Sequence, residues 1–270
     1  MFARIAAGLV GLCLVLPVLI WGGPYGASGL IGLVLLISLD EYVRMAVPDS
    51  LTRGRALLLP LGLGVMMLIA LGPAGAVLPA LGLCFVVVTT VAMLSNPDVP
   101  AAAREAGLLG FGLLWVPPML GMLAQIRQSP EGLALVFLLL ACTWLGDTGA
   151  YFAGRAFGKT PLLPRISPKK TVEGFLGGVV LSVAGGAVVK VVGGLSFGWV
   201  EVLLLAAALD LAGVVGDLVQ SMFKRWFGVK DSGTIMPGHG GLLDRIDSLL
   251  FSAPLLAAWL FLRAWAFEAG

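Results

Sequence analysis

Residues 74–94, AGAVLPALGLCFVVVTTVAML, run for 21 positions without a charged side chain. About 20 apolar residues in a helix cross the hydrocarbon core of a bilayer. In that core every backbone N–H and C=O must be paired within the segment, so the stretch reads as a transmembrane helix. Outward from it, runs of similar character recur at approximately 5–22, 25–39, 56–72, 107–125, 132–153, 174–193, 198–219 and 246–265. The chain is 59% hydrophobic and 12% charged, against roughly a quarter charged in soluble domains. Strands of an outer-membrane barrel would alternate in short segments, and these runs do not. The expected fold is an all-α, polytopic transmembrane helical bundle of about nine spans. The first run resembles a signal peptide led by Arg4, but eight further spans favour a retained helix. Cys13, Cys84 and Cys142 lie inside apolar runs without metal-ligand spacing, and read as small buried hydrophobes.

Charge sets the expected orientation. Of the 17 Lys and Arg, 14 fall at the N-terminus or in the loops after spans two, four, six and eight. The other three are Arg127, Lys190 and Arg263. The positive-inside rule places the richer side, and the N-terminus, in the cytoplasm. Two loops on that side carry dense polar chemistry, 154–173 and 220–245. The expected organisation is therefore residues 1–130 as helices for packing and lipid access, and 131–270 as a catalytic half with both loops.

Ionisable residues within spans are functional-site candidates by default. Asp147 lies late in span six, and Asp210 and Asp217 lie in span eight. The latter two share a face, separated by roughly 10 Å along the helix axis. Asp244 and Asp247 share a face at the start of span nine. Any one acid could pair with a local base. Five together, with no base inside spans six or eight, suggest a hard all-oxygen site. Such a site suits Mg²⁺, which takes one or two carboxylates plus substrate phosphates. A proton or Na⁺ relay is the competing functional reading.

The loop after span six ends ISPKKTVEG. Ser167 and Pro168 read as N-cap and first residue of the seventh helix. Lys169 and Lys170 would then fall in its first turn, where the helix dipole favours negative charge. An anion held between them would resolve the conflict; so would two positive-inside lysines with Glu173 offsetting the dipole. In the loop after span eight, Lys224, Arg225 and Lys230 are placed to cradle phosphates. His239, the chain's one histidine, is a candidate acid, base or phosphate donor, although a turn histidine is more often a plain hydrogen-bonding group. Gly174, Gly177, Gly178, Gly185 and Gly186 mark span seven for close helix packing.

The stretch SMFKRWFGVKDSGTIMPGHGGLLDRID, 221–247, resembles the signature of the phosphatidate cytidylyltransferase (CDP-diacylglycerol synthase) family. The matching positions are Ser221, Lys224–Arg225, Lys230–Asp231, Pro237, His239–Gly240–Gly241 and Asp244–Arg245–Ile246–Asp247. One position departs: Met236 stands where the family has Leu, Ile or Phe, keeping bulk and apolarity. Residues 147–174 and the pair Gly216–Asp217 are similar to the family too. The six N-terminal spans resemble it only in length, hydropathy and the DEYVRM stretch at 40–45.

The resemblance implies a Mg²⁺-dependent enzyme of phospholipid biosynthesis in the inner (cytoplasmic) membrane, its active site facing the cytoplasm. Its substrates would be CTP and phosphatidic acid, its products CDP-diacylglycerol and pyrophosphate. It leaves no role for nucleic acid, and a homodimer is compatible with it. Asp217, Asp244 and Asp247 would hold one or two divalent cations, with a further monovalent ion allowed. These acids, with Lys224, Arg225 and His239, form the expected catalytic set. Asp147, Ser167, Lys169, Lys170, Ser221, Lys230, Asp231 and Arg245 form the expected substrate-binding set. A CDP-alcohol phosphotransferase would carry a D-x₂-D-G-x₂-A-R array that this chain lacks. An ion-coupled transporter would tend to show paired halves with broken helices, whereas polar chemistry here gathers in the C-terminal half.

Overall fold

The computed structural model describes residues 2–235 and 240–268. Among them are nine long α-helices: α1 Phe2–Trp21, α2 Gly23–Ala46, α3 Leu51–Leu71, α4 Val77–Ser95, α5 Val99–Gln128, α6 Gly132–Phe157, α7 Val172–Gly193, α8 Trp199–Trp226 and α9 Leu243–Glu268. Eight of them, α2 to α9, are long and apolar enough to cross a membrane. The ninth, α1, stands where the sequence places the first span. A two-stranded antiparallel hairpin, β1 Pro161–Leu163 and β2 Ser167–Thr171, joins α6 to α7. The chain is thus a nearly all-helical, membrane-type bundle.

Two compact units divide the chain. The first holds residues 1–128 and 227–245, the second 129–226 and 246–270. The segment 227–245 therefore belongs with the N-terminal helices.

In the first unit α2, α3 and α5 pack on one another. Tyr42 of α2 is fully buried at their centre. Its hydroxyl donates to the carbonyl of Leu108 at 2.7 Å, which satisfies the one polar atom of a ring inside an apolar core. Gly112 of α5 makes room: a Cβ there would run into the Tyr42 ring. In the first turn of α3 the Arg53 guanidinium grips Glu105 through two bonds of 2.7 and 2.5 Å. Asn96 donates to the same carboxylate at 2.9 Å. This fork-to-fork pairing is the geometry in which Arg binds carboxylate best.

In the second unit α6 and α7 form the tightest helix pair, as the glycines of span seven foretell. Gly178 lies so close to α6 that a Cβ on it would come within 2.9 Å of the Gly146 carbonyl oxygen. Small residues on both faces let two backbones approach where no hydrophobic force separates helix from lipid.

Candidate active site

Lys169 and Lys170 do not stand in the first turn of α7. They lie in β2, and the N-cap is Thr171, whose Oγ1 accepts from the Gly174 N–H at 3.1 Å. Ser167 and Pro168 are strand residues as well. The expected cap at Ser167 is thus replaced by Thr171, because hairpin pairing keeps Ser167 and Pro168 extended. Val172 N–H bonds back to the Thr160 carbonyl at 2.9 Å, holding β2 extended up to Thr171. Pro168 is tolerated because a two-stranded ribbon has free edges. Glu173, in the first turn of α7, accepts from the Lys159 and Thr160 amides and the Thr160 hydroxyl at 2.9–3.2 Å. The hairpin is thereby anchored to the helix it precedes.

The strand aims Lys170 at α8. Its Nζ lies 2.5 Å from Asp217 Oδ2, and Ser221, one turn on, donates to Asp217 Oδ1 at 3.3 Å. A pocket of about 550 Å³ opens beside this pair, lined in part by Asp147, Arg155, Lys169, Lys170 and Phe175. Asp217, Ser221, Lys170, Lys169 and Asp147 are thus brought together from α6, β2 and α8.

Gly216 explains how a second carboxylate reaches Asp217. A Cβ on Gly216 would come within 2.5 Å of the Asp247 carbonyl oxygen, so α9 crosses α8 in backbone contact at this point. The charges of Asp217, Lys224 and Asp147 all act on the Asp247 carboxylate. Asp247 Oδ1 also accepts from the Ser248 N–H at 2.8 Å. Deeper in the helix layer, Asp210 is 3% exposed and its Oδ2 has no hydrogen-bond partner among the described residues. A buried carboxylate oxygen without a donor is costly unless a proton or cation compensates it.

Lys224 and Arg225 lie in the last turn of α8, not in the loop that the expected end at residue 219 implies. Basic residues are favoured at a helix C-terminus, and the helix gives way just before Gly228, which has φ 73°. Lys224 is half-buried; Arg225, Lys230, Asp231 and Arg245 are exposed.

The motif segment in the first unit is held by an acid the sequence reading passed over. Glu41, in α2, is 5% exposed. It accepts from the Leu242 N–H at 2.9 Å, the Leu243 N–H at 2.8 Å and the Ser232 hydroxyl at 3.0 Å. Asp244 is buried too, and its Oδ2 accepts from the Ser232 and Gly241 amides at 2.8 and 3.0 Å. Asp244 reaching back three residues is half of a capping box. The other half, normally an N-cap side chain, is supplied by Glu41. His239 and its neighbours Met236, Pro237 and Gly238 lie outside the described residues. Among the described residues no group of three or more His, Cys, Asp or Glu is placed to hold a metal ion alone.

A family model described as the cytidylyltransferase family matches residues 2–263. A phosphatidate cytidylyltransferase of Bacillus subtilis (strain 168) is 41% identical over 153 residues, 56% of this chain and 57% of that protein. Another, from Staphylococcus saprophyticus, is 33% identical over 263 residues, covering 95% of this chain and 97% of that protein. A third, from Synechocystis, is 34% identical over 283 aligned positions, covering 94% of each chain. The chain thus spans just over half of the Bacillus relative and nearly all of the other two.

Proposed function

The chain belongs to the cytidylyltransferase family, and we propose that it is a phosphatidate cytidylyltransferase of phospholipid biosynthesis. It converts CTP and phosphatidate into CDP-diacylglycerol and pyrophosphate at the cytoplasmic face of the inner membrane. The observation that carries this reading is the Lys170–Asp217 pair at 2.5 Å, set on a pocket with further cations at the end of three apolar helices. A soluble polyanion and an anionic lipid need such a meeting place. The relatives' names support the same reaction.

A phosphate oxygen of the lipid attacks the α-phosphorus of CTP. The bond from that phosphorus to the bridging oxygen of the β-phosphate breaks, and its electron pair leaves with pyrophosphate. The attacking oxygen is already anionic at neutral pH, so no general base is needed. The protein's work is positioning and charge neutralisation, as in phosphoryl transfer generally. Lys169 and Lys170 receive phosphate on the hairpin side. Lys224 and Arg225 offer further positive charge at the end of α8.

The donors present fit a hard divalent cation. The charge of Asp217 acts on Asp247 across α8 and α9, and the buried Asp210 Oδ2 has no hydrogen-bond partner among the described residues, so two carboxylates and an orphaned oxygen support a cation in this unit. Mg²⁺ would be held by Asp217 and Asp247 and completed by phosphates, as is usual for that ion. When bound it would neutralise developing charge on phosphate oxygens. Asp244 has Oδ2 committed to two backbone amides, which makes it an organiser of the motif segment in this proposal.

The test is pyrophosphate release by the purified protein with phosphatidate, comparing CTP with ATP, GTP and UTP, with and without Mg²⁺. Release that needs CTP, lipid and Mg²⁺ together is expected. No release from folded protein under any nucleotide would overturn the proposal.

A further inference from the structure

We propose that the pocket between α6, the hairpin and α8 takes the phosphomonoester headgroup of the lipid substrate, and that the nucleotide binds elsewhere. This rests on the reading above and divides its two anionic substrates between places.

Charge is the first ground. Arg155, Lys169 and Lys170 line the pocket against one carboxylate, Asp147. Lys170 is also paired with Asp217, so three cations meet two acids, and the excess of positive charge suits an anionic phosphate monoester.

Location is the second. The α6 residues on the pocket lie in its last three turns, next to the hairpin and the first turn of α7. That is the end of a span, where headgroups sit. Tyr151 lines the pocket yet is 59% exposed, and neighbouring Phe152 and Phe157 are 63% and 70% exposed. Exposed aromatic rings at a span end mark the headgroup level of a bilayer. A mouth at the level of Tyr151 would lie where lipid phosphates reside.

The lining chemistry is the third. A cytosine ring requires free donors and acceptors along its edge. No described side-chain amide lines the cavity. Its remaining walls are apolar, with Ala150, Leu162, Phe175 and Val214. They suit the glyceryl backbone and the first methylenes of acyl chains. Lys170 then touches the lipid phosphate and Asp217 at once, which sets the attacking oxygen beside the carboxylate.

The experiment uses the full chain in lipid nanodiscs with Arg155→Ala, Arg155→Lys and Phe175→Trp. The first removes a cation from the pocket, and the last fills it. In steady-state assays the expected result for Arg155→Ala is a KM for phosphatidate raised about tenfold, the scale of one lost charge-assisted hydrogen bond. The KM for CTP stays within about twofold, because uniform binding of the other substrate is untouched. Arg155→Lys keeps charge and fold, and gives the same bias at smaller amplitude should the alanine variant misfold. Binding is read separately, without turnover, as thermal stabilisation by dioctanoyl phosphatidate, by glycerol 3-phosphate, by inorganic phosphate and by CTP. The expected pattern is that Arg155 and Phe175 variants lose stabilisation by phosphatidate and keep that by CTP. Stabilisation by inorganic phosphate as strong as by the lipid would show a free-anion site and overturn the lipid assignment. Variants that raise the CTP requirement instead, or shift neither, also overturn it. A wild-type protein that is stabilised by phosphatidate through Arg155 yet makes no CDP-diacylglycerol would refute the proposed reaction and leave the pocket assignment standing.

Discussion

The carboxylate of Glu41 in α2 accepts the backbone N–H of Leu243, the first residue of α9, at 2.8 Å and across 202 residues of sequence. It accepts the Leu242 N–H as well. The orphan donors at the start of a helix normally find a side chain just upstream. Here Gly241 has no side chain to offer, and one added there would collide with Ser232 and Glu41. The cap is supplied by a distant helix of the same chain, and with it the position of the segment that carries Asp244.

Replacing Glu41 tests this arrangement. Glu41→Gln leaves one acceptor oxygen and turns an amide donor toward a second N–H. The expected loss is about 1.5–3 kcal/mol of stability, the range for hydrogen bonds to a charged group. Turnover should fall about tenfold to a hundredfold, because a misplaced segment costs positioning. Thermal unfolding and CDP-diacylglycerol formation measured on the same preparation check both. A Gln variant matching wild type in each would show that those N–H groups have another acceptor.

Asp217→Asn separates chemistry from stability. The Lys170–Asp217 pair is partly exposed, each side chain at 28%. Pairs in that setting contribute about 1 kcal/mol or less. Unfolding should therefore shift little, while turnover should fall by ~100-fold or more, because the carboxylate would help hold the cation whose charge offsets that of the reacting phosphates. A variant retaining substantial turnover would remove Asp217 from the site.

Tyr42→Phe makes the opposite prediction. The hydroxyl is buried, donates to the Leu108 carbonyl, and touches nothing proposed for the reaction. Its loss should cost about 1 kcal/mol with turnover per folded molecule unchanged. Lower turnover at equal folded fraction would mean that the α2–α5 core is coupled to catalysis.

What the sequence revealed follows from the range of each interaction. Helix number and position were legible because span length is set by the membrane, and long apolar runs such as 74–94 admit one solution. The gathering of Lys170 with Asp217 was legible only as a list of candidates, since nothing local says that β2 aims its lysine at α8. The start of α7 was misplaced by four residues because Ser167–Pro168 mimics a cap. Thr171 is the better one only once the hairpin holds the strand extended. α8 runs past the expected end at 219 because the length rule stops a span near 20 residues, whereas the helix continues beyond the apolar run and Lys224 and Arg225 sit well on its C-terminus. Glu41 escaped notice despite standing in DEYVRM: its partners, two backbone N–H groups and the Ser232 hydroxyl, lie far along the chain, and no spacing rule reaches them.

Gly216 is where the fold and the proposed chemistry meet most tightly. The α8–α9 crossing there leaves no room for a methyl group: the Asp247 carbonyl oxygen would be 2.5 Å away and Phe251 Cδ2 3.0 Å. Both obstacles belong to α9, and one is backbone, so rotating a side chain cannot relieve the contact. Gly216→Ala must separate the two helices locally, moving Asp247 away from Asp217. Overpacking of this kind costs about 1–3 kcal/mol. Ala is also a better helix former than Gly by about 1 kcal/mol, which offsets part of that loss. The stability change should thus be modest, and the functional change large: turnover should fall ~100-fold, the scale of an ångström-level misplacement. The Mg²⁺ concentration giving half-maximal activity should also rise, because the two carboxylates no longer approach one another. Titrating Mg²⁺ at saturating CTP and phosphatidate reads this directly. Reduced turnover with an unchanged Mg²⁺ requirement would mean that Gly216 serves packing alone, and that Asp217 and Asp247 do not share a cation.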